Sequence, residues 1–422
     1  MRYLDLDTAT NHPLRPSPIP IRPTSKSPSK KKKRFLIAGL VTSLVALVGF
    51  VGYVFFWPAA GSLGELLKAP GAALSFVQDP ANVLKQTDGR TNFLLLGIDR
   101  RSYEPYTYNG PAGATVHNCF RSDTMVIASV NLKSKNHDVV FYSIPRDLWV
   151  QLPGWSYGNG QKFYAQGQKI NAANCFGDQY NYPDGGGLGL ARKVTQDVLG
   201  LPIHYVVRTD FDGFKKMVDA VGGVNVTVDT AFTDCEYPIE GQENNPRISA
   251  RYKCISFKTG PQFMNSETAL EFTRSRHGTG TEGSDLARAK RQQKIISAVR
   301  DKALSIQTLS DPIKIKSLVD SFGETFQTLD VDFSQIGAFY KLAQQVKTDG
   351  AQNLVLSNDP NTGDANLLKV GNPALYGGAF VFIPSAGPYD YTDIHAFVQK
   401  HIDQASSVQD AATSSATPAP GQ

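Results

Sequence analysis

Cysteine and histidine are scarce in this chain of 422 residues, at four and seven. No two cysteines form a CxxC and the histidines are scattered, so zinc ligation by the thiols is set aside. No serine or cysteine has a histidine partner in its own motif, which leaves Ser143 and Ser275 as packing or turn residues and not nucleophiles. No periodic repeat is evident. Positive charge is also missing where a nucleic-acid binder would need it. The formal net charge is +5, but nine of the 43 Lys and Arg and only two of the 38 Asp and Glu precede Phe35, so the remainder is slightly acidic. The basic tail has neither aromatic interleaving nor a helix-turn-helix pattern, and direct DNA binding is excluded on that ground.

What is present near the N-terminus is a topology signal. Residues 1–34 are rich in Pro, Ser and Thr, predict a disordered tail, and end in Lys30, Lys31, Lys32, Lys33 and Arg34. The apolar run from Phe35 to Trp57, interrupted by Thr42 and Ser43, is long enough to cross a bilayer at about 1.5 Å per residue. It exceeds the roughly 7 to 15 residues of a signal-peptide core, and Pro58-Ala59-Ala60 is a poor cleavage site. A buried core helix fits that length badly. The flanking charges orient the tail to the cytoplasm, which predicts a single-pass type II protein of the plasma membrane with everything beyond Pro58 outside. Tyr53, Phe55, Phe56 and Trp57 then sit at the outer interface. All four cysteines fall in that outer part, where disulfides persist. Cys235 and Cys254 bracket a polar loop and are the easier pair to close, which leaves Cys119 with Cys175 by elimination.

Residues 58–88 read as a stalk with a short helix around Gly64 to Lys68, and residues 89–305 as the main folded domain. Three continuous apolar runs, Asn92 to Ile98, Thr124 to Val130 and Val139 to Ile144, have the character of strands buried on both faces. A helix from Leu188 to Leu199 precedes a strand at His204 to Arg208. Next come a helix at Phe211 to Val221 capped by Asp210 and stopped by Gly222-Gly223, and a strand at Val224 to Val228. Helices follow at Ser266 to Thr273 and Asp285 to Leu304. This alternation predicts an α/β fold, a mixed central β-sheet flanked by helices on both faces. Residues 306–405 form a small C-terminal extension, either a subdomain or a wrap, with two helices, strand-like pieces at Asn353 to Leu356 and Ala379 to Ile383, and a final helix at Asp390 to His401. Residues 406–422 predict a disordered tail.

Charged residues punctuate the strand ends: Asp99, Arg100 and Arg101 after the first, Arg121 and Asp123 before the second, Arg146 and Asp147 after the third. Each alone could be merely solvated, but strand ends are where α/β sheets bind ligands, and the repetition favours a site. Arg274 and Arg276 follow a helix. On the next helix Arg288 and Gln292 share a face, and Arg288 and Arg291 are close enough to repel unless an anion lies between them. A solvated basic face is the bland alternative.

The segments Leu95-Leu-Gly-Ile-Asp99, Arg121-Ser-Asp-Thr-Met125, Ser143-Ile-Pro-Arg-Asp147, Lys169-Ile-Asn-Ala172, Asp210-Phe-Asp-Gly-Phe214, Val221-Gly-Gly-Val224, Arg274-Ser-Arg276 and Asp285-Leu-Ala-Arg-Ala-Lys-Arg-Gln-Gln293 resemble, in order, the motifs of the LytR-CpsA-Psr family, also described as the cell envelope-related transcriptional attenuator domain. The resemblance spans about Thr91 to Val299. It implies a Mg2+-dependent phosphotransferase that moves a glycan from a polyprenyl-pyrophosphate carrier to peptidoglycan outside the membrane. Asp99 and Asp123 match the metal-holding aspartates. Arg121, Arg146, Arg274, Arg276, Arg288 and Gln292 match the positions that clamp pyrophosphate, with Arg100 a further candidate. Asp123, Arg146, Arg276 and Arg288 are the catalytic candidates, Asp123 as the group that helps remove the acceptor proton. The stretch between Asp99 and Arg121 looks elaborated, and Ser284 and Ala287 stand where the family commonly has glycine. The competing readings are a polyprenyl-pyrophosphate hydrolase, a non-catalytic lipid-glycan binding module and an envelope regulator.

Overall fold

The computed structural model describes residues 78–100, 104, 107–109, 115–134, 137–158, 160–303, 305, 326–346, 352–358 and 366–414. The tail, the span 35–57 and most of the stalk lie outside them. Among the described residues no helix is long and apolar enough to cross a membrane.

The three apolar runs become β1 (Arg90–Ile98), β2 (Ser122–Asn131) and β3 (Val139–Ser143), nearly all of whose residues are buried. Antiparallel pairing joins β1 to β2 and β2 to β3. A separate ribbon follows, β4 (Trp149–Leu152) antiparallel to β5 (Gln166–Lys169). Helices α1 (Ala172–Gln179) and α2 (Gly186–Leu199) then carry the chain back to β6 (Tyr205–Thr209), parallel to β1. Asp210 caps α3 (Phe211–Ala220), its Oδ1 accepting from the Gly213 amide at 2.8 Å, and Gly222 and Gly223 leave the helix at positive φ.

β7 (Val224–Val228), β8 (Phe232–Pro238), β9 (Tyr252–Phe257) and β10 (Gly260–Met264) form two small antiparallel pairs, β7 with β10 and β8 with β9. Helices α4 (Ser266–Arg274) and α5 (Asp285–Ala303) complete this half. Both disulfides pair as the sequence predicts: Cys119–Cys175 ties the segment before β2 to α1, and Cys235–Cys254 ties β8 to β9.

The segment beyond residue 305 is less detached than its separation in sequence suggests. It supplies β11 (Phe326–Leu329), α6 (Ile336–Gln345), β12 (Gln352–Val355), the hairpin β13 (Leu368–Val370) and β14 (Phe382–Pro384), and α7 (Thr392–Ser414). The central sheet runs β11-β6-β1-β2-β3-β12, so this segment provides both of its edges. The last helix continues past Ser406 to Ser414, because Gln409, Ala411 and Ala412 are good helix formers in a stretch whose composition resembles a linker.

Period-two alternation splits the sheet residues between two cores. Phe93, Val126 and Val207 meet Met217, Phe272, Ile295 and Phe339 on one face. Leu94, Ile127 and Val206 meet Leu190, Val194, Ile394 and Val398 on the other. Helices therefore cover both faces. Phe339 of α6 packs with its ring centroid 6.1 Å from Phe93 and 5.0 Å from Tyr205. Phe339→Ala should cost about 3–5 kcal/mol, read as a lower urea midpoint of the full chain. An unchanged midpoint would show that the segment beyond residue 305 adds nothing to the core.

Candidate active site

Strand ends and helix ends converge on one edge of the sheet. Asp99 follows β1, and its amide donates to the Arg121 carbonyl at 3.1 Å, so the two positions are locked side by side. Asp123 lies one residue into β2, and its side chain is about one-fifth exposed, 21%. Arg146 Nη1 donates to both of its oxygens at 2.9 and 3.0 Å, and Arg276 Nη2 reaches Oδ2 at 2.7 Å. Burial alone would raise the Asp123 pKa, but the charges of Arg276 and Arg146 and their hydrogen bonds outweigh it and hold the carboxyl below its usual range. A carboxylate so held is a weak base. In this structure Asp123 is the anchor for two arginines.

Two cavities meet at this anchor. One is a cleft of about 410 Å³ between β1, β6, α3 and α5. Its walls are apolar, with Leu95, Val126, Val207, Phe214, Met217 and Ile296 among them, and its polar lining includes Asp99, Asp123, Arg274, Arg276, Arg288 and Gln292. The other is a polar basin of about 360 Å³ lined by Asp99, Arg121, Asp123, Arg146, Asp147, Lys169 and Asn171. Asp99 and Asp123 belong to both. Of the nine residues singled out in the sequence, eight line one cavity or the other. Gln292 Nε2 donates to Thr124 Oγ1 at 3.0 Å, which fixes α5 to β2. Arg274 lies over the Phe211 ring at 4.0 Å, keeping its charge at the mouth of the cleft.

Two arginines depart from expectation. Arg100 is turned to Asp210, which it pairs with, and to the Glu104 carbonyl at 2.9 Å, and it lines neither cavity. Arg291 lines neither cavity. Its guanidinium is buried against the Phe272 and Ser275 carbonyls, at 2.9 and 2.7 Å, and Glu282 Oε2 at 2.7 Å, so it braces the loop carrying Arg276. Three residues along α5, Arg288 faces the cleft.

Sequence reasoning missed Asp234. Its carboxylate is buried, 1% exposed, and Oδ2 accepts from Ser275 Oγ at 2.7 Å and from the Arg276 and His277 amides at 3.1 Å. It thereby fixes the backbone from which Arg276 reaches Asp123. Asp147, a strand-end charge in the sequence, pairs at 2.6 Å with Lys169, which was visible only as a member of a motif.

Magnesium binds through one or two carboxylates and fills its shell with phosphate oxygens and water. The shared pair Asp99 and Asp123 suits that donor set. No cluster of three His, Cys, Asp or Glu offers an alternative among the described residues.

Burial opposes ionisation of Asp234, but bonds from Ser275 and from the Glu236, His277 and Arg276 amides outweigh it, and its folded pKa lies below the usual carboxylate value. Its contribution to stability is therefore complete above that usual value, about 3.9, and is lost as pH falls through the lower folded one. Asp234→Ala should lower stability at pH 7 by about 1–3 kcal/mol and flatten the decline below pH 4, read by unfolding midpoints across pH. A decline as steep as in the wild type would contradict this role.

A model of the LytR_cpsA_psr family matches residues 72–372. A protein of Bacillus subtilis (strain 168) named polyisoprenyl-teichoic acid--peptidoglycan teichoic acid transferase TagT is 29% identical over 355 residues, spanning 76% of this chain and 94% of that protein. Biofilm regulatory protein A of Streptococcus mutans is 30% identical over 302 residues, spanning 70% of this chain and 63% of that protein. Among solved structures, protein gbs0355 of Streptococcus agalactiae shares the fold, with a TM-score of 0.50 at 21% identity, covering 74% of this chain and 88% of that one. With its motif arginines and aspartates gathered at one edge of the sheet and the family match covering most of its length, the chain belongs to the LytR_cpsA_psr family.

Proposed function

We propose that this protein transfers a glycan from a polyprenyl-pyrophosphate carrier to a peptidoglycan hydroxyl on the outer side of the membrane. The observation that carries the reading is the junction of the two cavities. An apolar cleft that ends at arginines and carboxylates has the shape and polarity of a lipid diphosphate, with a greasy chain in the cleft and charged oxygens at its mouth. The relatives named as transferases of polyisoprenyl-linked teichoic acid to peptidoglycan point the same way. Two disulfides suit an oxidising compartment, in keeping with residues 35–57 as the anchor and the domain outside.

In this reading the acceptor oxygen bonds to the phosphorus that carries the glycan. The bond from that phosphorus to the bridging oxygen breaks, polyprenyl phosphate leaves, and the hydroxyl proton passes to solvent. Arg146 and Arg276, aligned by Asp123, together with Arg121, Arg274 and Arg288, match the oxygens on which charge builds as the bond breaks. Asp99 and Asp123 would hold magnesium, which supplies further neutralisation of the departing phosphate. Gln292 positions α5 against the cleft, and the apolar walls exclude water from the lipid side of the diphosphate.

Arg146→Ala and Arg276→Ala should each lower transfer at least about 10²-fold while the unfolding midpoint stays near that of the wild type. A double variant with full activity would sink the proposal. Ile296→Trp fills the cleft away from the charges, and it should raise the KM for a long-chain donor about tenfold and leave a short-prenyl donor unaffected. Equal effects on both donors would show that the chain does not lie in this cleft.

A further inference from the structure

Beyond the polar basin the surface carries a set of aromatic rings that neither the cleft nor the arginine cluster uses. Strand β4 leaves the site directly. Asp147, one residue after Arg146, is 3.4 Å from Arg146 Nε and 2.6 Å from Lys169 Nζ. Two residues on, Trp149 is the cross-strand partner of Lys169. Leu148 between them is fully buried, while Asp147, in the turn that leads into the ribbon, and Trp149 are each only partly buried.

The β13–β14 hairpin is fastened to the same place, with the Phe382 amide donating to the Asp147 carbonyl at 2.9 Å. It brings Tyr376 against Trp149, ring centroids 4.9 Å apart at 65°. From the segment before α7, Tyr389 accepts a hydrogen bond from Trp149 Nε1 at 2.9 Å while remaining 40% exposed.

Two features show that this arrangement is built. Tyr389 holds φ at 65°, a left-handed backbone that a bulky residue adopts only at a cost of about 1–3 kcal/mol and that clusters at functional sites. Beneath the rings stands Gly167, where a Cβ would come within 2.5 Å of both Trp149 Nε1 and Tyr389 Oη. A larger residue there would force the rings to shift away from β5. The result is a partly open aromatic ledge that begins at the Asp147–Lys169 ion pair and continues outward from the reacting centre.

Its chemistry fits a sugar chain. The C–H face of a pyranose lies against the electron-rich face of an aromatic ring, and its hydroxyl and amide edges need nearby charged or polar groups. Asp147, Lys169 and the exposed Gln151 and Gln166 provide them.

We propose that Trp149, Tyr376 and Tyr389 seat the acceptor glycan, so that its attacking hydroxyl enters the basin past Asp147 and Lys169. The identity of the occupant rests on the proposed transfer: it is the uncrosslinked peptidoglycan strand. The basin that Asp147 and Lys169 line shares Asp99 and Asp123 with the lipid cleft, so donor and acceptor approach the phosphorus from different cavities.

Calorimetric titration of the full chain in detergent micelles, without donor, with soluble uncrosslinked peptidoglycan strands tests the ledge independently of catalysis. The wild type should bind saturably. Trp149→Ala and Tyr376→Ala should each weaken binding about tenfold or more, and Trp149→Phe, which restores a ring, should stay within about threefold of the wild type. Prenyl pyrophosphate should bind all variants equally, which guards against misfolding. Strand affinity unchanged in both alanine variants would overturn the proposal. So would an absence of strand binding, or phosphatidylglycerol vesicles bound through these rings in its place. Normal strand binding without any transfer would leave the ledge standing and remove the transferase reading.

Discussion

One carboxylate shared by two guanidinium groups organises the functional end of this protein. Asp123 receives Arg146 from the loop after β3 and Arg276 from the loop after α4. Without it, two positive charges would face each other in a partly buried pocket. With it, they are held at fixed positions on one carboxylate. The arrangement is stable because each arginine is itself braced. Asp147 lies beside Arg146, and Asp234 with Arg291 fixes the backbone around Arg276. Preorganised charge of this kind costs little reorganisation when a diphosphate is split.

The sheet explains why so many charged groups can meet there. Strands β1, β2 and β3 are buried on both faces, so their polar chemistry is pushed to the ends. The two cores leave a greasy cleft on the α3–α5 side that opens at those ends. The edge strands β11 and β12, from the C-terminal segment, cover what would otherwise be exposed pairing edges. The hairpin that follows then brings Tyr376 against Trp149, the cross-strand partner of Lys169.

Much of this was legible in the sequence. The continuous apolar runs, the Asp210 cap and the Gly222-Gly223 stop mark elements whose determinants are local. Charged residues at strand ends stand out against apolar neighbours, and eight of the nine candidates do line the two cavities. What escaped depends on contacts distant in sequence. Asp234 acts on a loop 41 residues away, and a single aspartate beside a cysteine has no periodic signature. Arg288 and Arg291 look alike on a helical wheel, yet only the folded positions of Glu282 and the Phe272 carbonyl assign one to bracing and the other to the cleft. Arg100 follows Asp210, a partner 110 residues away. The edge strands are four residues each, too short for their alternation to reveal which sheet they join.

The account stands most directly on whether the diphosphate is split by a sugar hydroxyl. The full chain in micelles with magnesium and a polyprenyl-pyrophosphate-linked oligosaccharide, incubated with and without uncrosslinked peptidoglycan strands, gives the answer by mass spectrometry of the products. Polyprenyl phosphate should be released only when strands are present, in step with a glycan-phosphate-peptidoglycan adduct carrying one phosphorus per linkage. Release of polyprenyl phosphate at the same rate without strands, together with free glycan phosphate, would contradict it and identify a hydrolase.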